Sequence, residues 1–138
     1  MIRFFVEDIE FKVPFPQKIR QWLKAVATTE GYELNEINYI FCSDEYLYQI
    51  NVEYLDHHTY TDIITFDNSE AEKELIGDIY VSVERVTENA AALGGLFFDE
   101  FSRVLVHGIL HLCGYYDESD EEELQMRKLE DHYLTLRK

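Results

Sequence analysis

Positive charge is what this chain has least of. It carries 12 Lys and Arg against 28 Asp and Glu, a net charge of −16 over 138 residues. After Lys24 no Lys or Arg follows until Lys73. Sequence-independent nucleic-acid binding depends on cations displacing counterions from phosphates, so the composition argues against it. A nucleic-acid substrate would need a local basic patch or a partner that presents it. Cysteine is scarce too: Cys42 and Cys113 lie far apart, form no C-x-x-C pair and read as reduced, packed thiols. No apolar run could span a bilayer, and the opening Met1-Ile-Arg-Phe-Phe-Val-Glu-Asp lacks the core of a signal peptide. The expectation is a soluble, cytoplasmic protein. Repeats, low-complexity tracts and linkers are absent, which predicts one domain over 1–138. With 46% hydrophobic and 14% aromatic residues, the composition is globular and supplies a core.

Residues 2–6 and about 9–13 predict short strands that follow one another like a hairpin. Pro14 and Pro16 lead into a helix from Gln17 to about Glu30, with Ile19, Trp22, Leu23 and Val26 on one face and Gly31 closing it. Alternation of Ile37, Tyr39 and Phe41 predicts a half-buried strand, and Ser43 an N-cap for a helix carrying Tyr46, Leu47 and Ile50. A polar loop from Asp56 to Tyr60 precedes a strand over 62–66; a charged loop over 68–74 precedes another over 77–83. A helix from about Glu84 to Leu93 stops at Gly94-Gly95. Asp99 is the expected cap of the next helix, which would bury Phe101, Val104, Leu105, Ile109 and Leu112. Ser119 with Glu122 is a capping-box signature for a last helix reaching about Leu136. The order predicts an α+β fold: one mixed sheet packed with helices.

Chemistry concentrates in His107-Gly-Ile-Leu-His111-Leu-Cys-Gly114-Tyr-Tyr-Asp117. Two histidines four apart share a helix face, and Gly114 accepts the left-handed turn that ends helices. Asp117 can then return toward the same point. Two imidazoles and a carboxylate with one open direction are the donor set of a hydrolytic zinc site, on a helix and the turn following it. The expected metal ligands are therefore His107, His111 and Asp117, holding one Zn²⁺ per chain, and the expected nucleophile is water activated by the metal.

Other residues admit plainer readings. A histidine pair at this spacing is often only a polar helix edge; the added Gly114 and Asp117 are what favour a metal. Cys113, roughly 200° around the helix from His111, faces away and reads as a small buried residue. His132 reads as surface, while His57 and His58 sit in a loop with a lesser claim on a site. The acidic run 117–123 suits the positive end of a helix dipole. The spacing approaches that of metzincin proteases, but those place a glutamate base directly after the first histidine, where this chain has Gly108. A glycine moves no proton, and Met126 falls inside the last helix rather than in a Met-turn, so both argue against a peptidase of that type, which only robust chelator-sensitive proteolysis would revive.

With glycine at that position, residues 107–117 resemble the H-G-x-L-H-L-x-G-Y-D-H signature of the bacterial YbeY family of endoribonucleases. Tyr54 followed by Thr61-Asp62-Ile63-Ile64-Thr65-Phe66 is similar to the family's Tyr-Arg…Thr-Asp-Val-Leu-Ser-Phe block, and Gly77-Asp78-Ile79 to its Gly-Asp-Ile strand. Four departures bear on the site: Asp117 stands for the third histidine ligand, Leu55 for an arginine after the tyrosine, and His58 and Tyr60 for a loop aspartate and proline. An aspartate still ligates zinc but makes it a weaker Lewis acid. Loss of the arginine removes a phosphate contact and leaves substrate-binding residues unassigned. The resemblance implies a single-strand-specific, metal-dependent endoribonuclease acting in 16S rRNA 3′-end maturation and ribosome quality control. It implies work alongside ribosomal small-subunit proteins and a ribosome-associated GTPase. The alternative is a ribosome-assembly factor that acts mainly by binding partners.

Overall fold

The computed structural model describes residues 1–137. Four strands form one sheet in the order β1-β2-β4-β3: β1 (Ile2–Val6), β2 (Glu33–Cys42), β3 (Ile63–Asp67) and β4 (Glu74–Ser82). β1 runs parallel to β2 and β2 parallel to β4, whereas β3 returns antiparallel to β4. The five helices are α1 (Pro16–Thr29), α2 (Asp44–Leu55), α3 (Val83–Ala92), α4 (Phe97–Leu112) and α5 (Asp120–Thr135). The α+β fold with a mixed sheet is as expected.

The N-terminal hairpin is not. Residues 9–13 form no strand, and β1 pairs with β2 instead. The apolar residues that suggested a strand anchor an irregular crossing: the Phe11 ring packs on Phe41, Phe97 and Phe101 at centroid distances of 5.3, 6.1 and 5.6 Å. Aromatic burial, not ladder pairing, accounts for that pattern. β2 begins at Glu33, four residues before the predicted alternation, and buries both faces at its C-terminal end. Ile37, Tyr39 and Phe41 face the main core, while Cys42 joins Leu47 and Ile64 in a smaller cluster under α2.

Helix starts are mostly where local chemistry puts them. Ser43 Oγ accepts from the Tyr46 N–H, and Ser119 and Glu122 make the full reciprocal capping box. α4 differs: its N-cap is Leu96, without a side-chain cap, and the expected cap Asp99 sits inside the first turn. There Asp99 accepts from Arg137 Nη2 at 2.7 Å, so its carboxylate ties the helix start to the C-terminal segment.

α4 is the central helix. From Phe101 to Cys113 every residue is buried except Arg103, His107 and His111, which recur at four-residue intervals along one stripe. Gly108 faces the opposite way. A Cβ there would stand 3.1 Å from both Ile63 Cδ1 and Ile79 Cδ1, so the helix backbone lies directly on β3 and β4. Gly77 has the parallel role in β4: a Cβ would meet the Phe66 carbonyl oxygen at 2.4 Å, a distance no side chain tolerates.

Candidate active site

The unburied stripe of α4 opens into a cavity of about 550 Å³, bounded on one side by the start of β3 and on the other by α5. All three expected ligands, His107, His111 and Asp117, line it. α4 ends as the sequence predicts. Gly114 takes φ 98, its N–H donates to the His111 carbonyl at 3.0 Å, and the Tyr115 N–H donates to the Leu110 carbonyl at 3.1 Å. This double bond pattern is the Schellman close of a helix. Tyr115 then anchors the turn by donating its hydroxyl to Glu30 at 2.7 Å, and two residues later Asp117 reaches the cavity.

His107 is held from behind. Its Nδ1 lies 2.7 Å from Glu130 Oε2, and Glu130 also accepts from Arg103 Nη1 at 2.9 Å. Glu130 is only 5% exposed. A carboxylate accepts and does not donate, so Nδ1 carries a proton, and whenever the ring is neutral it is Nε2 that holds the free lone pair. Facing that lone pair, 3.5 Å away, is Asp117 Oδ2. Two electron-rich atoms opposed at this distance are satisfied by a cation between them, whether proton or metal. His111 adds a second donor: its ring lies nearly parallel to that of His107, centroids 6.4 Å apart, and its buried Nδ1 has no hydrogen-bond partner. These atoms fit a divalent ion in chemistry. Among the described residues, however, no three His, Cys, Asp or Glu side chains are drawn into a closed ligand cluster.

Electrostatics follow from burial and from this set of neighbours. Burial lowers the His107 pKa, but the Glu130 hydrogen bond and charge, with Asp117 and Asp62, outweigh it and leave it raised. Burial pushes the carboxyls of Asp62 and Glu100 up, only partly offset by His107 for the first and Arg103 for the second. Cys113 is buried, and desolvation with the Glu30 charge pushes its thiol up to about 12, consistent with a packing role. His132 is exposed on α5, and His57 and His58 are exposed in the loop after α2, outside the cavity.

The sequence reading missed Glu130, Arg103 and Asp62 as members of the site. Two had a signal. Glu130 interrupts the buried stripe Met126–Tyr133 of α5 with a charge, and Arg103 lies one turn before His107 on the same helix face. Asp62 stood in the strand block as an unremarkable residue, and only the fold turns it toward the histidines. Gly108, where a metzincin-type base would stand, points into Ile63 and Ile79 and has no access to the cavity.

The family model described as "Endoribonuclease YbeY" matches residues 2–137. The chain is 50% identical over 137 residues to the Endoribonuclease YbeY of Cytophaga hutchinsonii, covering 99% of this chain and 96% of that one. It is 51% identical over 136 residues to the Endoribonuclease YbeY of Flavobacterium johnsoniae, again covering 99% and 96%. The solution structure of TM1509 from Thermotoga maritima is similar with a TM-score of 0.67 at 28% identity, over 97% of this chain and 87% of that protein. Matches of this identity over nearly the full length of both chains mean that the chain belongs to the endoribonuclease YbeY family.

Proposed function

We propose that this protein is a metal-dependent, single-strand-specific endoribonuclease that processes ribosomal RNA, with His107, His111 and Asp117 holding one zinc ion. The carrying observation is His107, fixed through Nδ1 by a buried carboxylate and presenting Nε2 to Asp117 inside a cavity. A carboxylate behind a ligating imidazole sets its tautomer and raises its basicity. A divalent ion held there supplies a Lewis acid for phosphoryl oxygens and lowers the pKa of water. The protein's own part is to orient and to manage protons. Arg103 and Glu130 hold the His107 ring in place. The partly buried Asp62, its carboxyl pushed up by desolvation, is a group in the same cavity able to hold a proton.

The RNA is 16S rRNA near its 3′ end, in maturation and quality control of the small ribosomal subunit. Small-subunit proteins and a ribosome-associated GTPase are the partners, in the cytoplasm. Delivery by a partner suits a chain of net charge −16. No helix of the described residues is long and apolar enough to cross a membrane. To test the reading, protein freed of metal by chelation is assayed on single-stranded RNA before and after zinc is restored. Cleavage should vanish and return. A folded His111→Ala variant that cleaves as fast as wild type, with contaminating nucleases excluded, overturns the assignment. If that variant also supports ribosome maturation fully, the protein acts there by binding alone.

A further inference from the structure

The cavity is poor in the charge its substrate needs. Asp62, Glu100, Asp117, Glu123 and Glu130 line it, against two cations, Arg103 and Arg127. Both terminal nitrogens of Arg103 are held by carboxylates: Nη1 donates to Glu130 at 2.9 Å and Nη2 to Asp131 at 2.5 Å. That second bond has a consequence one turn away. Asp131 lies four residues after Arg127 on α5 and is the natural intrahelical partner for it, but Arg103 has taken it. Glu123, four residues before, also makes no ion pair with it, and among the described residues Arg127 has no salt bridge within 4.0 Å. An exposed guanidinium thus stands at the rim of a cavity that holds the histidines, with its planar fork unassigned. Guanidinium forks match phosphate oxygens bidentately.

We propose that Arg127 is the residue by which this protein grips a phosphodiester of its RNA. The proposal rests on the endoribonuclease reading and assigns the phosphate contact within that same cavity. Because the side chain is exposed and unpaired, its removal leaves fold and metal site intact.

The test uses the zinc-loaded protein and a short labelled single-stranded RNA. Binding is followed by stopped-flow anisotropy before cleavage sets in, across a salt series, for wild type, Arg127→Ala, Arg127→Lys and Lys128→Ala. Lys128 is an exposed neighbour outside the cavity. Arg127→Ala should weaken binding about tenfold and make the salt slope shallower by about 0.7, the share of one phosphate contact on a single strand. Arg127→Lys should recover part of the affinity, since charge remains and the fork is lost. Lys128→Ala should change binding less than about twofold, as for a charge away from the bound phosphate. Equal losses from Arg127→Ala and Lys128→Ala, or an unchanged salt slope in Arg127→Ala, overturn the proposal. Wild type that binds RNA without cutting it defeats the nuclease reading but still lets these variants decide the role of Arg127. Wild type that does neither defeats both.

Discussion

Two glutamates, Glu30 and Glu130, meet α5's buried stripe about one turn apart, the first through Tyr133 and the second from within it, and they serve different ends. Glu30, just after α1, accepts from the hydroxyls of Tyr115 and Tyr133. Both donors are neutral, and the chain of contacts stops there. Glu130 accepts from Arg103 and meets His107, both cationic or able to be. Its contacts do not stop: they pass through an imidazole whose far nitrogen turns to the cavity. The first arrangement holds the turn after α4 and the end of α5 in place. The second, more deeply buried, aims one atom outward. What distinguishes a site from a strut here is where the last hydrogen-bonding atom points.

Breaking the second arrangement should do the most. Glu130→Ala leaves Arg103 and His107 without their shared acceptor and should lower unfolding free energy by about 3 kcal/mol, measured by urea denaturation. It should also weaken zinc binding about 10- to 100-fold, read by competition with a chromophoric chelator; unchanged zinc affinity would separate Glu130 from the metal. Glu30→Gln should lower stability by about 1–2 kcal/mol while leaving zinc affinity alone. A matching loss of zinc affinity would erase the contrast between the two.

Alkali sharpens the comparison from the other side. The Glu30 hydrogen bond and burial push Tyr115 up to about 12, and burial followed by the Glu30 bond raises Tyr133 further. A raised phenol pKa favours the neutral form in the fold. Its contribution is therefore full below the unfolded value of about 10 and lost as pH rises from there toward the folded value. Thermal melts between pH 9 and 12 should show this loss, and Glu30→Gln should flatten it. The smallest effect belongs to the helix that joins both regions. Ser119→Ala removes one capping bond and should cost about 1 kcal/mol, leaving both zinc affinity and the alkaline limb in place.

Local signals were the legible ones. Ser43, Ser119 with Glu122, and Gly114 each act within a turn of themselves, and the structure uses all three. The mixed sheet and the helix order followed from periodicity. Phe11 misled because an apolar side chain in an irregular strap has the same alternation as one in a strand, and only the Phe41–Phe97–Phe101 surface decides between them. Asp99 misled because an acidic residue near a helix start serves equally as a cap or as a partner for the remote Arg137. At the site, His107, His111 and Asp117 were marked by spacing alone and line one cavity. Glu130 and Asp62 come from other elements, and their meaning depends on a packing of α4 against α5 and β3 that no short window contains.

The bare backbone contact at Gly108 reaches further than the lack of a base. With no side chain between α4 and the isoleucines beneath it, the helix is seated against the sheet at van der Waals contact, and that contact sets the height and rotation at which both imidazoles stand. Asp117, on the turn beyond and 44% exposed, has no such footing. Under the proposed ligand set, any tuning of the enzyme to a different ion falls to the carboxylate arm, because two of the three claws of the chelate are already clamped.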